Sequence, residues 1–304
     1  MQAETLLSDL FHHGLIKVYG EDAESFLQNQ LTNDVHNVTE TSLQTSAWCS
    51  PKGRIIATFN IFKRDNAYFL SLSQDLLEHV IKKLRMYVMM SKVTIEDASQ
   101  SITHFGLSGE AAEAELKDLS KDLSVFKVAG TVPRFEIFGA DIDTENNQTS
   151  KVLTENFQVA PENHWDYLNI LAGIPVITQA SSEAWIPQMV NYIDVGGVDF
   201  KKGCYPGQEV VARLNYLGKT KRRMYHIQIN SGSLPAVGDS ISSHDGSSND
   251  KDAGKILNAV INPEGKVEAL AILKIAEAEK KLTLSNNNEA AITMLDLPYS
   301  VNAD

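Results

Sequence analysis

One of the two cysteines in the 304-residue chain stands in a setting that could do chemistry. Cys204 lies in the segment KKGCYPGQEVVARL, residues 201–214, between two lysines and a helix-forming run that begins at Gln208. Nearby cations and a helix N-terminus favour the thiolate, the nucleophilic and metal-binding form of cysteine. The segment therefore predicts a reactive thiol in a loop that enters a helix. A small buried residue under a glycine turn is the alternative, and the spacing leaves it open.

The second cysteine, Cys49, lies in SAWCSPKG and has no comparable cationic setting. We expect it to be a structural residue. Two cysteines make at most one disulfide and cannot build a four-thiolate metal site, so we predict two reduced thiols and no metal site.

The region around Cys204 is basic although the chain is acidic. Residues 201–223 hold seven lysines and arginines against one acid, whereas the whole chain has a net charge of −12. Such a segment is either a solvated face or an anion-binding site. The acidic remainder argues against stable binding to nucleic acid or to an anionic membrane.

The elements that must position Cys204 belong to a globular protein of more than one compact unit. The composition, 43% hydrophobic and 22% charged, is that of an ordinary globular chain. No secretory or transit pattern opens the sequence and no apolar run reaches membrane-spanning length, so we expect a cytoplasmic protein without a membrane partner.

Hydrophobic periodicity predicts an α+β fold. GLIKVYG, KVTIED and PRFEIFG indicate strands, and residues 50–73 indicate a hairpin that turns at residues 64–66. Helices are predicted in residues 20–35, 73–90, 108–123 and 160–175, the last with Asn163 as its N-cap and Gly173 at its C-terminal end. Short strands separated by polar loops such as HDGSSNDKDAG predict a small β-barrel from about residue 221 onward.

KKGCYPGQE also carries a resemblance, since it is similar to the K-G-C-[FY]-x-G-Q-E signature of the YgfZ-type folate-binding proteins. This family is related to the glycine cleavage T-protein (the aminomethyltransferase superfamily) and to the mitochondrial iron-sulfur cluster assembly factor. GEDAESFLQNQLTNDV, SPKGRI, LNILAGIPVI, WIPQ and LPYSV resemble other stretches of the family, so the resemblance covers nearly the whole chain.

The resemblance implies two interleaved α+β subdomains and a C-terminal β-barrel around a tetrahydrofolate site. We expect the folate-binding region in residues 1–220 and the barrel in residues 221–304. It also implies a role in the assembly or repair of iron-sulfur client proteins, which affects tRNA modification indirectly. The signature residues are Lys202, Gly203, Cys204, Tyr205, Gly207, Gln208 and Glu209.

Folate contacts follow from the same resemblance and from chemistry. Trp165 corresponds to a tryptophan that contacts folate in the family, and His13 stands near the position of a second one. A tryptophan on the apolar face of a helix is also a common core residue, and this alternative stays open. The anionic tail of folate needs cations, for which we nominate Arg213, Arg223 and their neighbour Arg222.

We rank a folate-binding maturation factor with Cys204 as its functional thiol above two alternatives. The first is a folate-dependent aminomethyl or one-carbon transferase, for which Asp34 or Asp194 would supply the carboxylate. The second is an RNA-binding protein that uses KTKRR, residues 219–223.

Overall fold

A computed structural model describes residues 5–117, 123–141, 148–244 and 251–301. The chain forms two compact units, each assembled from separate stretches of sequence. The first consists of Met1–Trp48, Ala57–Trp165 and Lys201–Tyr205, and the second of Cys49–Ile56, Asp166–Phe200 and Pro206–Asp304. The boundary expected at residues 220/221 stays a prediction.

Strands and helices alternate along the first part of the chain. The strands are β1 (Leu6–Asp9), β2 (His13–Tyr19), β3 (Gln44–Cys49), β4 (Ile55–Arg64), β5 (Ala67–Ser73), β6 (Thr94–Asp97), β7 (Ile102–Ser108), β8 (Ser124–Val128), β9 (Arg134–Asp141) and β10 (Gln158–Val159). The α-helices in the described ranges are α1 (Ala23–Gln28), α2 (Leu77–Val88), α3 (Ala112–Leu116), α4 (Gln148–Asn156), α5 (His164–Leu171) and α6 (Gln208–Leu217).

These strands form two five-stranded sheets, with the orders β3-β4-β5-β2-β6 and β10-β1-β7-β9-β8. The predicted hairpin is confirmed as β4 and β5, in which Arg64 pairs with Ala67. Its two turn residues, Asp65 and Asn66, have φ angles of 50° and 58°, as a tight turn that matches the strand twist requires.

An aromatic core joins the two sheets of the first unit. The ring of Phe62 in β4 stacks on Phe69 at 5.0 Å and packs against Phe138 of β9 at 4.2 Å between centroids. Phe126 of β8 completes the cluster at 5.2 Å from Phe62. This packing fixes β7 and β9, which carry the buried polar groups described below.

The barrel is confirmed. Its strands are β11 (Arg222–Ile229), β12 (Ser240–His244), β13 (Lys251–Ile261), β14 (Val267–Lys274), β15 (Lys281–Leu284) and β16 (Asn287–Leu295), closed in the order β11-β14-β13-β12-β15-β16. Pairing of β11 with β16 completes the closure. Alternate apolar side chains fill the interior, among them Ile227, Ile241, Ile256, Leu273 and Leu282.

Three sequence predictions differ from the structure. The helix predicted in residues 20–35 is limited to α1, and Leu31 instead forms a β-bridge with Trp48. The helix expected over residues 108–123 is confined to α3, because Ser108 pairs in β7; residues 118–122 lie outside the described part. The polar loop HDGSSNDKDAG was expected to separate strands, but β13 already begins at Lys251, since Lys251 and Asp252 pair with β12 through their backbones. Residues 245–250 of that loop lie outside the described part.

In the described ranges, no helix is long and apolar enough to cross a membrane.

Candidate functional site

The Cys204 loop of the first unit, residues 201–205, presents its cysteine to solvent. Cys204 is exposed, whereas Cys49 is buried and 1% exposed, as a structural cysteine is expected to be. A Cβ built on Gly203 would meet no heavy atom within 4 Å. The thiol therefore lies in an open loop, four residues before the first residue of α6.

Lys202 anchors the loop on the N-terminal side of Cys204. Its side chain is buried, and its ammonium donates to the carbonyl oxygens of Gln28 at 2.6 Å and of Leu31 at 2.5 Å. These carbonyls lie at and just beyond the C-terminal end of α1, where backbone oxygens carry excess negative charge. The signature lysine thus serves as a structural contact rather than as a solvent-exposed cation.

Tyr205 anchors the loop on the other side. The residue is 6% exposed, and the ammonium of Lys202 lies 5.2 Å from the centroid of its ring. A buried ammonium over an aromatic face gains a cation-π attraction that adds to its two hydrogen bonds. Cys204 is thereby flanked by two buried side chains that fix the backbone from which its thiol projects.

The second half of the signature begins α6 and requires glycine for steric reasons. Gly207 precedes the helix with φ +82°, and a Cβ there would lie 2.4 Å from the carbonyl oxygen of Ser50 and 2.7 Å from Cα of Gly53. Gly53 has φ +70° in the turn of SPKG, where its amide donates to Ser50 O at 2.8 Å. The signature and this turn thus pack backbone to backbone within the second unit.

The remaining signature residues lie in the first turn of α6. Gln208 is half-buried and Glu209 is exposed. Glu209 and Arg213 line an open cavity of about 570 Å³ together with Ile186 and Met189.

The two nominated arginines line different cavities. Arg223, in β11, borders a cavity of about 760 Å³ whose walls include Met224 and Tyr225. Residues 219–221 contribute to both cavities. Arg222 points to the barrel surface, where it lies 3.4 Å from a carboxylate oxygen of Asp252.

Trp165 is packed inside the first unit and is 1% exposed. One side of its ring lies against Gly106, where an added Cβ would come within 2.4 Å of the indole. The guanidinium carbon of Arg134 lies 5.1 Å from its ring centroid. Burial lowers the pKa of Arg134 to about 10, against the opposing charge of Glu136. The core alternative for Trp165 accounts for these contacts, and its contact with folate stays a prediction.

His13, at the position of the second tryptophan, belongs to a buried polar cluster. Its ring lies 5.4 Å from that of His104, whose Nε2 donates to Glu136 at 3.1 Å. Asn60 donates to the other oxygen of Glu136 at 2.6 Å. Burial would raise the pKa of the Glu136 carboxyl, but the hydrogen bond and charge of His104, the charge of His13 and the bond from Asn60 hold it below its usual range.

Sequence patterns do not predict this cluster, because no local feature marks Glu136 as buried. The pairing of β7 with β9, which sets Gly106 opposite Glu136, is the feature that places it there.

Of the two carboxylates nominated for a transferase, that of Asp34 is hydrogen-bonded to residues nearby in the sequence. It accepts from the amide of His36 at 3.1 Å, from the His36 ring at 2.8 Å and from Gln28 at 3.0 Å. Burial would raise the pKa of Asp34, and the interactions with His36 and Gln28 lower it overall. Asp194 lies in a separate turn, where its amide donates to Asn191 O at 3.0 Å.

Within the part of the chain that the structure describes, no group of three or more His, Cys, Asp or Glu residues is arranged to hold a metal ion.

Comparison with known proteins decides the family. Residues 1–142 match the model of the GCVT N-terminal domain. The tRNA-modifying protein YgfZ of Photobacterium profundum is 33% identical over 97% of this chain and 92% of its own length. The chain belongs to the YgfZ family. The YgfZ protein of Klebsiella pneumoniae is 30% identical over 94% of this chain and 90% of its own length.

The fold of this YgfZ chain is that of a T-protein. Aminomethyltransferase T of the glycine cleavage system from Bartonella henselae superposes with a TM-score of 0.73 at 15% sequence identity, over 98% of this chain and 86% of the other. The predicted fold class, interleaved α+β subdomains followed by a β-barrel, is confirmed.

Proposed function

We propose that this protein is a tetrahydrofolate-binding accessory factor for the assembly or repair of iron-sulfur enzymes in the cytoplasm, with Cys204 as its functional thiol. The observation that carries the proposal is the placement of Cys204 on a loop held by two buried side chains and open to solvent. The name of the relatives, tRNA-modifying protein, agrees with an effect on tRNA through a client enzyme.

The geometry favours a role for Cys204 over a purely structural one. A cysteine that only fills space is expected to be buried, as Cys49 is. An exposed thiol on an anchored loop can meet a macromolecular client without local unfolding. Because the chain has two cysteines and one is buried, Cys204 supplies one thiolate, and a cluster transferred through it needs its other ligands from the client or from a second molecule.

The cations of the second unit fit the anionic half of folate. Arg213 and Arg223 each stand beside a cavity with apolar walls, and an arginine fork suits a carboxylate. These arginines would hold the tail carboxylates, and tetrahydrofolate, when bound, would supply a carrier for one-carbon units. For the pterin, Trp165 would have to expose ring surface that Gly106 and Arg134 cover in this structure.

A complementation experiment tests the thiol. Cys204→Ala is expected to abolish rescue of a strain that lacks the endogenous YgfZ protein and to lower the cluster content of its iron-sulfur enzymes. Cys49→Ala is the matched control, and we expect it to rescue if the variant folds. Full rescue by Cys204→Ala contradicts the proposed role.

Calorimetric titration with 5-formyltetrahydrofolate tests the ligand. Binding is expected for the wild type, with about a tenfold loss in Arg213→Met or Arg223→Met if that arginine holds a carboxylate. Trp165→Phe separates the two interpretations of Trp165, because a packing residue lowers stability whereas a contact residue also lowers affinity. No binding by the wild type refutes the folate proposal.

The transferase alternative is tested in the same preparation. A folate-dependent aminomethyl transferase forms methylenetetrahydrofolate from tetrahydrofolate and an aminomethylated lipoyl carrier protein. We expect no product, since the maturation role requires no such transfer, and steady turnover would replace the proposed function with the alternative.

A further inference from the structure

The cavity of about 760 Å³ beside the start of β11 has the size of a small-molecule site. Pockets for such ligands span roughly 300–1,000 Å³. It lies entirely within the second unit, where residues 219–225 form one side and residues 274–276, at the end of β14, form another. The segment that follows β16 closes it with Leu297 and Val301.

Aliphatic residues make up five of the eleven that line the cavity, namely Ile275, Ala276, Leu297, Val301 and the fully buried Met224. Ile275 is 41% exposed, so apolar surface faces water that a ligand could displace.

The C-terminal wall is held in place by its own hydrogen bond. Tyr299 donates its hydroxyl to Gly173 O at 2.8 Å. Burial raises the pKa of Tyr299 to about 12, so the phenol keeps its proton and the bond persists at neutral pH. Leu297 is therefore presented by an anchored segment.

The rim of the cavity is cationic. Lys219, Lys221, Arg223 and Lys274 border it, and among the described residues no aspartate or glutamate lines it. Lys274 is neutralised by Asp252, at 2.8 Å between ammonium and carboxylate. Lys219 and Lys221 are exposed and have no ion-pair partner in the described ranges, so they are available to an anion.

Aliphatic walls under a cationic rim select a particular ligand chemistry. A flat heterocycle such as a pterin needs several polar partners along its edge, and besides the cations this cavity offers the side chains of Thr220 and Tyr225. A chain of methylene groups needs none, and each one buried contributes about 0.8 kcal/mol. We propose that this cavity binds an aliphatic carboxylate, with the chain against Ile275, Ala276 and Leu297 and the head group at Lys221.

Calorimetry with octanoate, 1-octanol and acetate tests this site on the intact protein. Octanoate is expected to bind, and acetate is expected to give no heat of binding at the same concentrations. Octanol is expected to bind more weakly than octanoate because it lacks the charge. Lys221→Met is expected to weaken octanoate about threefold to fivefold, the size of a partly exposed charge contact, and to leave octanol unchanged. Lys255→Met, an exposed lysine on β13 of the same barrel, is the matched control.

A second variant tests the aliphatic walls independently of the charge. Ala276 is exposed at the edge of the cavity, so Ala276→Trp can fill the space without disturbing the core. This substitution is expected to lower the affinity for octanoate and for octanol by at least about tenfold. Unchanged octanoate binding in either Lys221→Met or Ala276→Trp overturns the proposal, as does equal binding of acetate.

Titrations with folate and competition by tRNA distinguish this site from the other proposals. Arg223 also borders this cavity, so the folate titration tests whether the two ligands share it. Both variants are expected to keep the wild-type affinity for 5-formyltetrahydrofolate if folate uses Arg213 and the other cavity, and a loss of folate binding in Ala276→Trp would assign this cavity to folate instead. If octanoate fails to bind while folate binds, the aliphatic site is refuted and the proposed function stands. Displacement of octanoate by tRNA at physiological salt would show a nucleic-acid surface and overturn the proposal.

Discussion

Lys202 donates from its buried ammonium to the carbonyl oxygen of Gln28 at 2.6 Å, across 174 positions of sequence. With the second bond to Leu31 O, this contact joins the loop of Cys204 to the end of α1. The loop is short and exposes Gly203 and Cys204, and contacts of this kind give it a defined conformation.

Loss of the Lys202 ammonium should destabilise the protein. Lys202→Met leaves two backbone carbonyls without their charged donor, which costs about 2–3 kcal/mol. Urea unfolding measures the cost, and hydrogen exchange should show lost protection in residues 201–205. Lys82→Met, a change at an exposed lysine of α2 in the same unit, is the control. Equal stability of the two variants would show that the two bonds contribute nothing.

The two thiols should differ sharply in native labelling. At pH 8, 5,5′-dithiobis(2-nitrobenzoate) is expected to modify one thiol per folded chain, and the second only in urea, because Cys49 is 1% exposed. Burial also raises the pKa of Cys49 to about 12, which keeps it in the unreactive thiol form. Cys204→Ser should remove the native reaction and Cys49→Ser should preserve it; the reverse pattern would contradict the structure.

Two glycines of the signature should respond differently to alanine. Gly207→Ala combines a left-handed φ of +82° with a Cβ 2.4 Å from Ser50 O, and we expect a loss of at least about 2 kcal/mol in the free energy of unfolding. Gly203→Ala, with open space around its Cβ, should fall within about 0.5 kcal/mol of the wild type. Comparable losses in both would contradict the close approach to the SPKG turn.

Acid should weaken the fold partly through Glu136. Because the folded-state pKa of this carboxyl is lowered, it binds its proton less readily than in the unfolded chain. Its contribution is therefore present above the unfolded pKa, about 4.3, and is lost as the pH falls through the folded-state pKa.

Unfolding curves from pH 6 to pH 3 test this linkage, with the expectation that Glu136→Gln flattens the acid decline. The control is Glu113→Gln. In the wild type, the carboxylate of Glu113 lies 3.1 Å from the ammonium of Lys127, and the two side chains are 57% and 63% exposed. Such a surface pair contributes little to stability. An acid decline that is the same in Glu136→Gln and the wild type would contradict the role of the buried carboxylate.

Local sequence determined much of the architecture, because periodicity and turn chemistry act over a few residues. The hairpin at Asp65 and Asn66, the helix from Gln208 and the short strands of the barrel follow from such patterns. The signature around Cys204 and the matching stretches elsewhere identified the family before any geometry was known.

Only the tertiary structure decided what individual side chains do. That Lys202 is buried against α1, that Gly207 needs glycine whereas Gly203 has open space, and that Trp165 is covered by Arg134 depend on residues far away in sequence. The same is true of Glu136, whose burial follows from strand pairing, and of the aliphatic cavity, whose walls come from three separate segments. Burial and steric contact depend on which helices and strands pack against each other, and a local sequence pattern does not specify that packing.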